Sequence, residues 1–436
     1  GAAAFKGIPY VAPPVADLRW RPPQPASPWS EVFDANAYAP MCPQPESEIG
    51  SEGGDEDCLY LNVWTPSDRL VDDRLPVMVF LHGGGNFLGS ATQSSDNVVG
   101  STGGPPLYEG QRLSARGDVV VVNLNYRLGA LGFLTHPDLA EESGSSGNYG
   151  LMDQIAALEW VQRNIEQLGG DPDRVMLFGQ SGGGRDVCLL LASAEADGLF
   201  SRAAMHSIPC GAQPISSAVA QRDALIAEMQ CDTELDPIAC MRAIDPIALV
   251  TANASQPLGL ASGAFRPTVD GKIVVNQPRT LFAQGNFNQV PIVVGTNDAE
   301  YAHRWTDMNA QEYAAALVGT FGEIDAAAVL AEYPAADYET PDKAYVQVMS
   351  DRNVSCPTNL LAASLATHNA EPVYLYRFRQ KLSTPTRLGD GAYHTSELAY
   401  LYQHMGGEHF AATDEERKTE AAMLHYWTSF AASGVP

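Results

Sequence analysis

Six short runs constrain the fold most. They are Leu75–Leu81 (LPVMVFL), Asp118–Asn123 (DVVVVN), Arg174–Phe178 (RVMLF), Val290–Val294 (VPIVV), Val373–Phe378 (VYLYRF) and the shorter Ala203–His206 (AAMH). Strands covered on both faces read as near-continuous apolar runs rich in β-branched residues, not as alternating ones. Between the second and third runs lies LMDQIAALEWVQRNIEQLGG, with Leu151, Ile155, Leu158, Val161, Ile165 and Leu168 spaced by three and four. That spacing is one face of a helix. Gly169 is placed to end it in the left-handed conformation, and Asp171-Pro172-Asp173 turns the chain into the next strand. Strand and helix in alternation predict an α/β fold: a central, mostly parallel, twisted sheet with helices on both faces. Ligands bind at the carboxyl ends of such strands. The Ala-rich, less regular segments at roughly 211–290 and 303–370 read as helical insertions above that edge, shaping a pocket. With no internal repeat, residues 1–436 are expected to form a single catalytic domain. The Gly/Ser stretches near 97–105 and 141–147 read as surface loops.

Acidic residues outnumber basic ones 52 to 26, a formal net charge of −26. That balance argues against nucleic acid and anionic lipid as partners. No apolar run approaches the ~20 residues of a membrane span. No signal peptide is visible, but the opening GAAAFKGIPY reads like the middle of a sequence, which is compatible with removal of a leader. Of seven cysteines, Cys42 and Cys58 flank an acidic loop and Cys231 and Cys240 flank a shorter one. Two disulfides are expected, with Cys188, Cys210 and Cys356 as buried thiols. Disulfides imply an oxidising compartment, extracellular or periplasmic.

The chemistry concentrates at LFGQSGGGRD, residues 177–186. A strand precedes it and RDVCLLLAS can form a helix after it. G-x-S-x-G at a strand-to-helix junction is a nucleophile elbow, in which Ser181 sits on a strained turn at the sheet edge. The unpaired amides at the helix start suit a developing oxyanion. A second Gly-rich site, His82-Gly83-Gly84-Gly85, follows the strand at 75–81. The amides of Gly84, Gly85 and Gly182 would make a three-donor oxyanion hole.

These features, with FKGIPY at 5–10, LRW at 18–20, EDCLYLNVW at 56–64, NYRLGALGF at 125–133, GNYGLMDQ at 147–154 and GGDPDRV at 169–175, resemble the type B carboxylesterase family. That family includes cholinesterases and bacterial p-nitrobenzyl esterases. The resemblance spans nearly the whole chain and implies an α/β-hydrolase fold. It also implies a triad in the order Ser, acid, His. GTNDAE at 295–300 is similar to the family's acid segment, which assigns Glu300, with Asp298 in a turn or cap role. GAYHTSEL at 391–398 is similar to its histidine loop, which assigns His394. His303, His368, His404, His409 and His425 are read as surface or packing residues, and HMGGEH at 404–409 lacks metal-site spacing. The resemblance supports the Cys42–Cys58 and Cys231–Cys240 disulfides, and the structural ion pairs Arg127–Asp153 and Arg19–Glu56. It implies a small-molecule ester substrate and requires no metal or cofactor.

The sequence departs from the family pattern in four places. The usual elbow G-E-S-A-G has Gln180 for Glu and Gly182 for Ala. Arg185 and Asp186 replace small residues at the elbow helix, and HSIPC at 206–210 ends its strand unusually. Beside the active Ser, Arg185 could meet a negatively charged substrate; pairing with Asp186 or another carboxylate is the commoner arrangement. Both chain ends look truncated relative to the family. The expected activity is carboxylic ester hydrolysis through an acyl-enzyme, with a lipase or polyester hydrolase as the alternative. A non-catalytic adhesion homologue would typically lack a triad member, and all three are present.

Overall fold

Eight strands form one sheet: β1 (Ala2–Pro9), β2 (Tyr60–Pro66), β3 (Leu75–Leu81), β4 (Val120–Leu124), β5 (Gly170–Gln180), β6 (Arg202–His206), β7 (Ile292–Asn297) and β8 (Val373–Phe378). The computed structural model describes residues 1–47, 52–68, 73–94, 106–208, 210–252, 265–302, 307–383, 391–406 and 411–436. The strand order is β1-β2-β4-β3-β5-β6-β7-β8. β1 and β2 pair antiparallel with each other, and β2 pairs antiparallel with β4. The remaining pairs are parallel. All six runs expected as strands are strands, within a few residues at their ends, except that β5 extends further both ways.

Alternation along β3 explains why it reads as one apolar run. Val77, Val79 and Leu81 join the core on one face, with helix α1 (Tyr149–Asn164) and helix α2 (Gly182–Leu191). Met78 and Phe80 join the core on the other, with Trp427 and Phe430 of helix α3 (Asp414–Ser433). Every residue of the strand is buried. On α1 and the turn of 3-10 helix after it, Leu151, Ile155, Leu158, Val161 and Ile165 are all buried, and Gly169 ends the segment at φ 82°. Among the described residues, 307–370 is mostly helical, and 211–290 carries the helices Ile215–Glu228, Pro237–Ala243, Pro246–Thr251 and Pro278–Ala283. The segment 141–147 ends the helix Pro137–Ser143 at a left-handed Gly144; the segment 97–105 lies outside the described residues.

Ala310–Asp337 contains a window apolar enough to cross a membrane by length and composition, with mean hydropathy 1.5. The sequence reading found no such run. The backbone breaks it: Gly322 adopts φ 78°, ψ 165°, which divides Ala310–Glu332 into two shorter helices. Tyr313, Leu317 and Ala326 pack into a small core with Ala344, Tyr345 and Met349.

The cysteines also depart from expectation. Cys42–Cys58 and Cys231–Cys240 are bonded as anticipated, but Cys188 and Cys210 form a third disulfide, Cα atoms 6.0 Å apart. Cys356 is free and exposed, not a buried thiol. The cause of the third bond lies in the sheet. β5 and β6 are parallel neighbours in a register that pairs Gln180 with His206. The elbow helix after one and the HSIPC loop after the other therefore leave the same edge side by side.

Candidate active site

The nucleophile candidate is placed by a turn that few residues could make. Ser181 adopts φ 57°, ψ −119° between β5 and α2. A non-glycine residue in that region is strained and persists only where its surroundings over-determine it. Here they do: the Ser181 amide donates to His206 O at 3.0 Å, and the Arg185 amide donates to Ser181 O at 2.9 Å. Tight packing explains the glycines. A Cβ on Gly183 would stand 2.0 Å from Leu81 O, and one on Gly182 2.7 Å from the Gly85 nitrogen. The Gly-rich patch is thus a close crossing of the elbow and the 82–89 loop, not a slack surface loop. Ser181 keeps partial exposure while Gln180 and Gly182 on either side are buried.

The second Gly-rich segment is held from behind. His82 is buried, its Nδ1 lies 2.8 Å from Gly83 O, and its ring stacks on Tyr126 at 4.3 Å. The Tyr126 hydroxyl donates to His82 O at 2.7 Å. Burial lowers the His82 pKa to about 4, so the ring is neutral near pH 7. Gly84 and Gly85 follow with φ 104° and 66° and are partly exposed.

The acid and the histidine come from the loops after β7 and β8 and meet. His394 Nδ1 lies 2.6 Å from Glu300 Oε2. The Asn297 amide donates to Glu300 Oε1 at 2.7 Å, and the carboxylate is 1% exposed. With Nδ1–H donated to the acid, Nε2 carries the lone pair. Nε2 faces the elbow, 3.2 Å from the side-chain nitrogen of Gln180, the residue before Ser181. The rival carboxylate, Asp298, is instead paired with Arg377 at 2.7 Å.

The remaining sequence assignments divide. Arg127–Asp153 and Arg19–Glu56 are ion pairs at 2.6 and 2.5 Å. His404 is buried with Nε2 2.8 Å from Leu107 O, and His425 is exposed, its Nδ1 3.4 Å from Ser429 Oγ. His368 closes the helix Cys356–His368. His303 and His409 lie outside the described residues. The expected pairing of Arg185 with Asp186 does not occur. The Asp186 oxygens instead accept from Asn86 Nδ2 at 2.8 and 2.6 Å and from Gln154 Nε2 at 2.7 Å, so that the Asn86 amide bridges Asp186 and Arg185. Consecutive residues of a helix do not face one another. The HSIPC segment is tied to α2 by the third disulfide and bends at Ser207, φ 54°.

Four residues make contacts the sequence reading did not assign. Asn297 fixes the acid, and Gln180 meets the imidazole. Asn86 and Gln154 bind the buried Asp186 behind the glycine loop. The signal for the last group was Asp186 itself, a carboxylate that with Arg185 interrupts a helix of small and apolar residues.

A mostly parallel eight-stranded sheet, with a strained Ser after the central β5 and an acid–His contact on its carboxyl edge, defines an α/β-hydrolase. The comparisons agree. The Carboxylesterase family model matches residues 1–436, so the chain belongs to that family and is a carboxylic ester hydrolase. The fumonisin B1 esterase of Sphingopyxis macrogoltabida is 36% identical, aligned over 99% of this chain and 79% of its own. The para-nitrobenzyl esterase of Bacillus subtilis (strain 168) is 34% identical over 100% of this chain and 87% of its own. A solved PNB esterase structure superposes with a TM-score of 0.81 at 32% identity, covering 100% of this chain and 87% of that one.

Proposed function

We propose that this single-domain chain hydrolyses small-molecule carboxylic esters through an acyl-enzyme, with Ser181 as nucleophile, His394 as base and Glu300 as its orienting acid. One observation carries the reading: Glu300 holds Nδ1 of His394, which leaves the basic Nε2 directed at the elbow. His394 takes the Ser181 proton as the oxygen attacks the ester carbonyl. The amides of Gly84, Gly85 and Gly182 receive the negative charge on the former carbonyl oxygen; one such donor is worth ~100- to 1000-fold in rate. Glu300 stabilises the imidazolium without taking its proton. His394 then protonates the leaving alcohol, and water repeats the sequence on the acyl-enzyme. None of these steps calls on a metal or cofactor. The three disulfides fit an extracellular or periplasmic enzyme.

Fluorophosphonate labelling followed by peptide mapping tests this assignment. The expected result is one adduct on the peptide carrying Ser181, lost in Ser181→Ala together with turnover of p-nitrophenyl acetate. An adduct on another residue, or turnover retained by the folded variant, would overturn it.

A further inference from the structure

Arg185 stands one helical turn from the candidate nucleophile, and among the described residues it has no ion-pair partner. Residues i and i+4 share a helix face, and its amide donates to Ser181 O. The guanidinium is half-buried. Its hydrogen-bond partner is a neutral oxygen, Asn86 Oδ1, at a long 3.4 Å. Among the described residues no carboxylate comes within ion-pair distance of it, because Asp186 is committed to Asn86 and Gln154.

A second half-buried arginine, Arg266, contributes to the electrostatics felt by Arg185. Arg266 is anchored through its backbone, its carbonyl accepting from Gln213 Nε2 at 3.0 Å and Thr268 Oγ1 at 3.1 Å. Its side chain has no ion-pair or hydrogen-bond partner among the described residues. Burial lowers the pKa of both guanidinium groups; for Arg185, Asp186 opposes this and the charge of Arg266 adds to it.

In this chain that arrangement needs an explanation. Acids outnumber bases two to one, and the two fully buried arginines are matched with carboxylates, Arg127 with Asp153 and Arg19 with Glu56, while half-buried Arg202 is held by Ser201 Oγ at 2.7 Å and Ala432 O at 3.1 Å, closer contacts than the one Arg185 makes. A buried charge left unpaired is costly. Guanidinium groups bind planar carboxylates bidentately. The missing counter-charge fits one that arrives with the substrate.

Position selects which part of the ester carries it. The leaving oxygen must face His394 and the carbonyl oxygen the glycine amides. Arg185 lies against Asn86, which continues the Gly84–Gly85 strip, on the side of the carbonyl and acyl group. We propose that Arg185 forms an anion subsite that binds a carboxylate on the acyl portion of the substrate, making the enzyme selective for monoesters of dicarboxylic acids. This rests on the triad reading above.

The test compares mono-(4-nitrophenyl) glutarate with 4-nitrophenyl valerate, which differ by that carboxylate. Wild type is expected to favour the charged ester by at least ~10-fold in kcat/KM, the scale of a charge-assisted contact. Added salt should erode that preference. Arg185→Gln should lower the charged-to-neutral ratio by at least ~10-fold, and Arg185→Lys by less than Arg185→Gln. The acetyl ester of 4-hydroxybenzoate, charged on the alcohol side, should show no such dependence against phenyl acetate. Wild type hydrolysing both nitrophenyl esters alike, at any salt, overturns the subsite with the triad intact; so does an arginine-dependent preference confined to the alcohol-side carboxylate. Failure to hydrolyse any of the four esters would instead overturn the triad reading.

Discussion

A Cβ built on Gly182 would stand 2.7 Å from the backbone nitrogen of Gly85 and 3.0 Å from that of Asn86. The elbow and the glycine loop thus approach more closely than an alanine allows, although the family elbow usually has alanine there. Both contacts are with backbone, which cannot rotate aside. In Gly182→Ala the loop must retreat by several tenths of an ångström, carrying the Gly84 and Gly85 amides with it. We expect kcat to fall ~10- to 100-fold with KM little changed, since removing one donor altogether is worth more than that. Steady-state kinetics on p-nitrophenyl acetate give the answer, and an unchanged kcat would show that the two strips of backbone are free to separate.

Glu300 does two jobs with two oxygens, and glutamine can do only one of them well. In Glu300→Gln, Oε1 still accepts from the Asn297 amide, and the new NH2 faces His394 Nδ1. A donor there forces the imidazole into the other tautomer, with its proton on Nε2 where the base is needed. The loss expected is ~10³- to 10⁴-fold in kcat, as for the equivalent change in other triads. Circular dichroism should show an intact fold, and fluorophosphonate labelling should slow in parallel. Labelling at the wild-type rate would remove Glu300 from the catalytic assignment.

The third disulfide closes a loop of sequence separation 22 between the elbow helix and the strand-end loop. Chain-entropy arguments give about 3 kcal/mol for a loop of this length. Replacing Cys188 and Cys210 together by alanine should lower the denaturant midpoint by a corresponding amount. Titration of the unreduced native enzyme with a thiol reagent should find one reactive group, Cys356. Three reactive thiols on denaturation without reductant would mean that Cys188 and Cys210 are not bonded.

Patterns that repeat locally were legible in the sequence. β3 and β8 match their predicted bounds because both strands end at clear changes of composition. The expected start of β4 at Asp118 was early because that residue takes φ 51° as the cap of the preceding helix. β1 and β2 were not read as strands, although their residues were read as family motifs. β1 sits at the sheet edge with a mostly half-exposed pattern and a register shift between Phe5 and Ile8. It shows neither the apolar run of a central strand nor clean alternation. The candidate site was named from motifs, at Ser181, Glu300 and His394, and the contact between the last two was expected from the resemblance. Partnerships that depend on which strands become neighbours were not. The Cys188–Cys210 bond, the Asn86–Asp186–Gln154 cluster and the isolation of Arg185 all follow from the β3-β5-β6 order, which no local spacing encodes.

Asp186 offers a pH test of that buried cluster. Burial raises its pKa from 3.8 to about 7, opposed by hydrogen bonds from Gln154 and Asn86 and by the charge of Arg185. A carboxyl whose folded pKa lies above its unfolded one contributes stability that is complete below the unfolded value and is lost as pH rises through the folded value. The window therefore runs from about pH 4 to about pH 7, and the full loss is about 4 kcal/mol at 1.36 kcal/mol per pKa unit. Asp186→Asn removes the titration. It leaves one of the two amide donors imperfectly met, a constant offset of about 1 kcal/mol. Subtracting the variant's denaturation free energy from that of wild type cancels the other titrating groups, including His82 and His404, whose lowered pKa values act in the opposite sense. The difference should fall steadily across that window. A flat difference would mean that Asp186 ionises in the folded protein as readily as in water, so that Arg185 serves it as counter-ion after all and the positive charge beside the nucleophile is already answered.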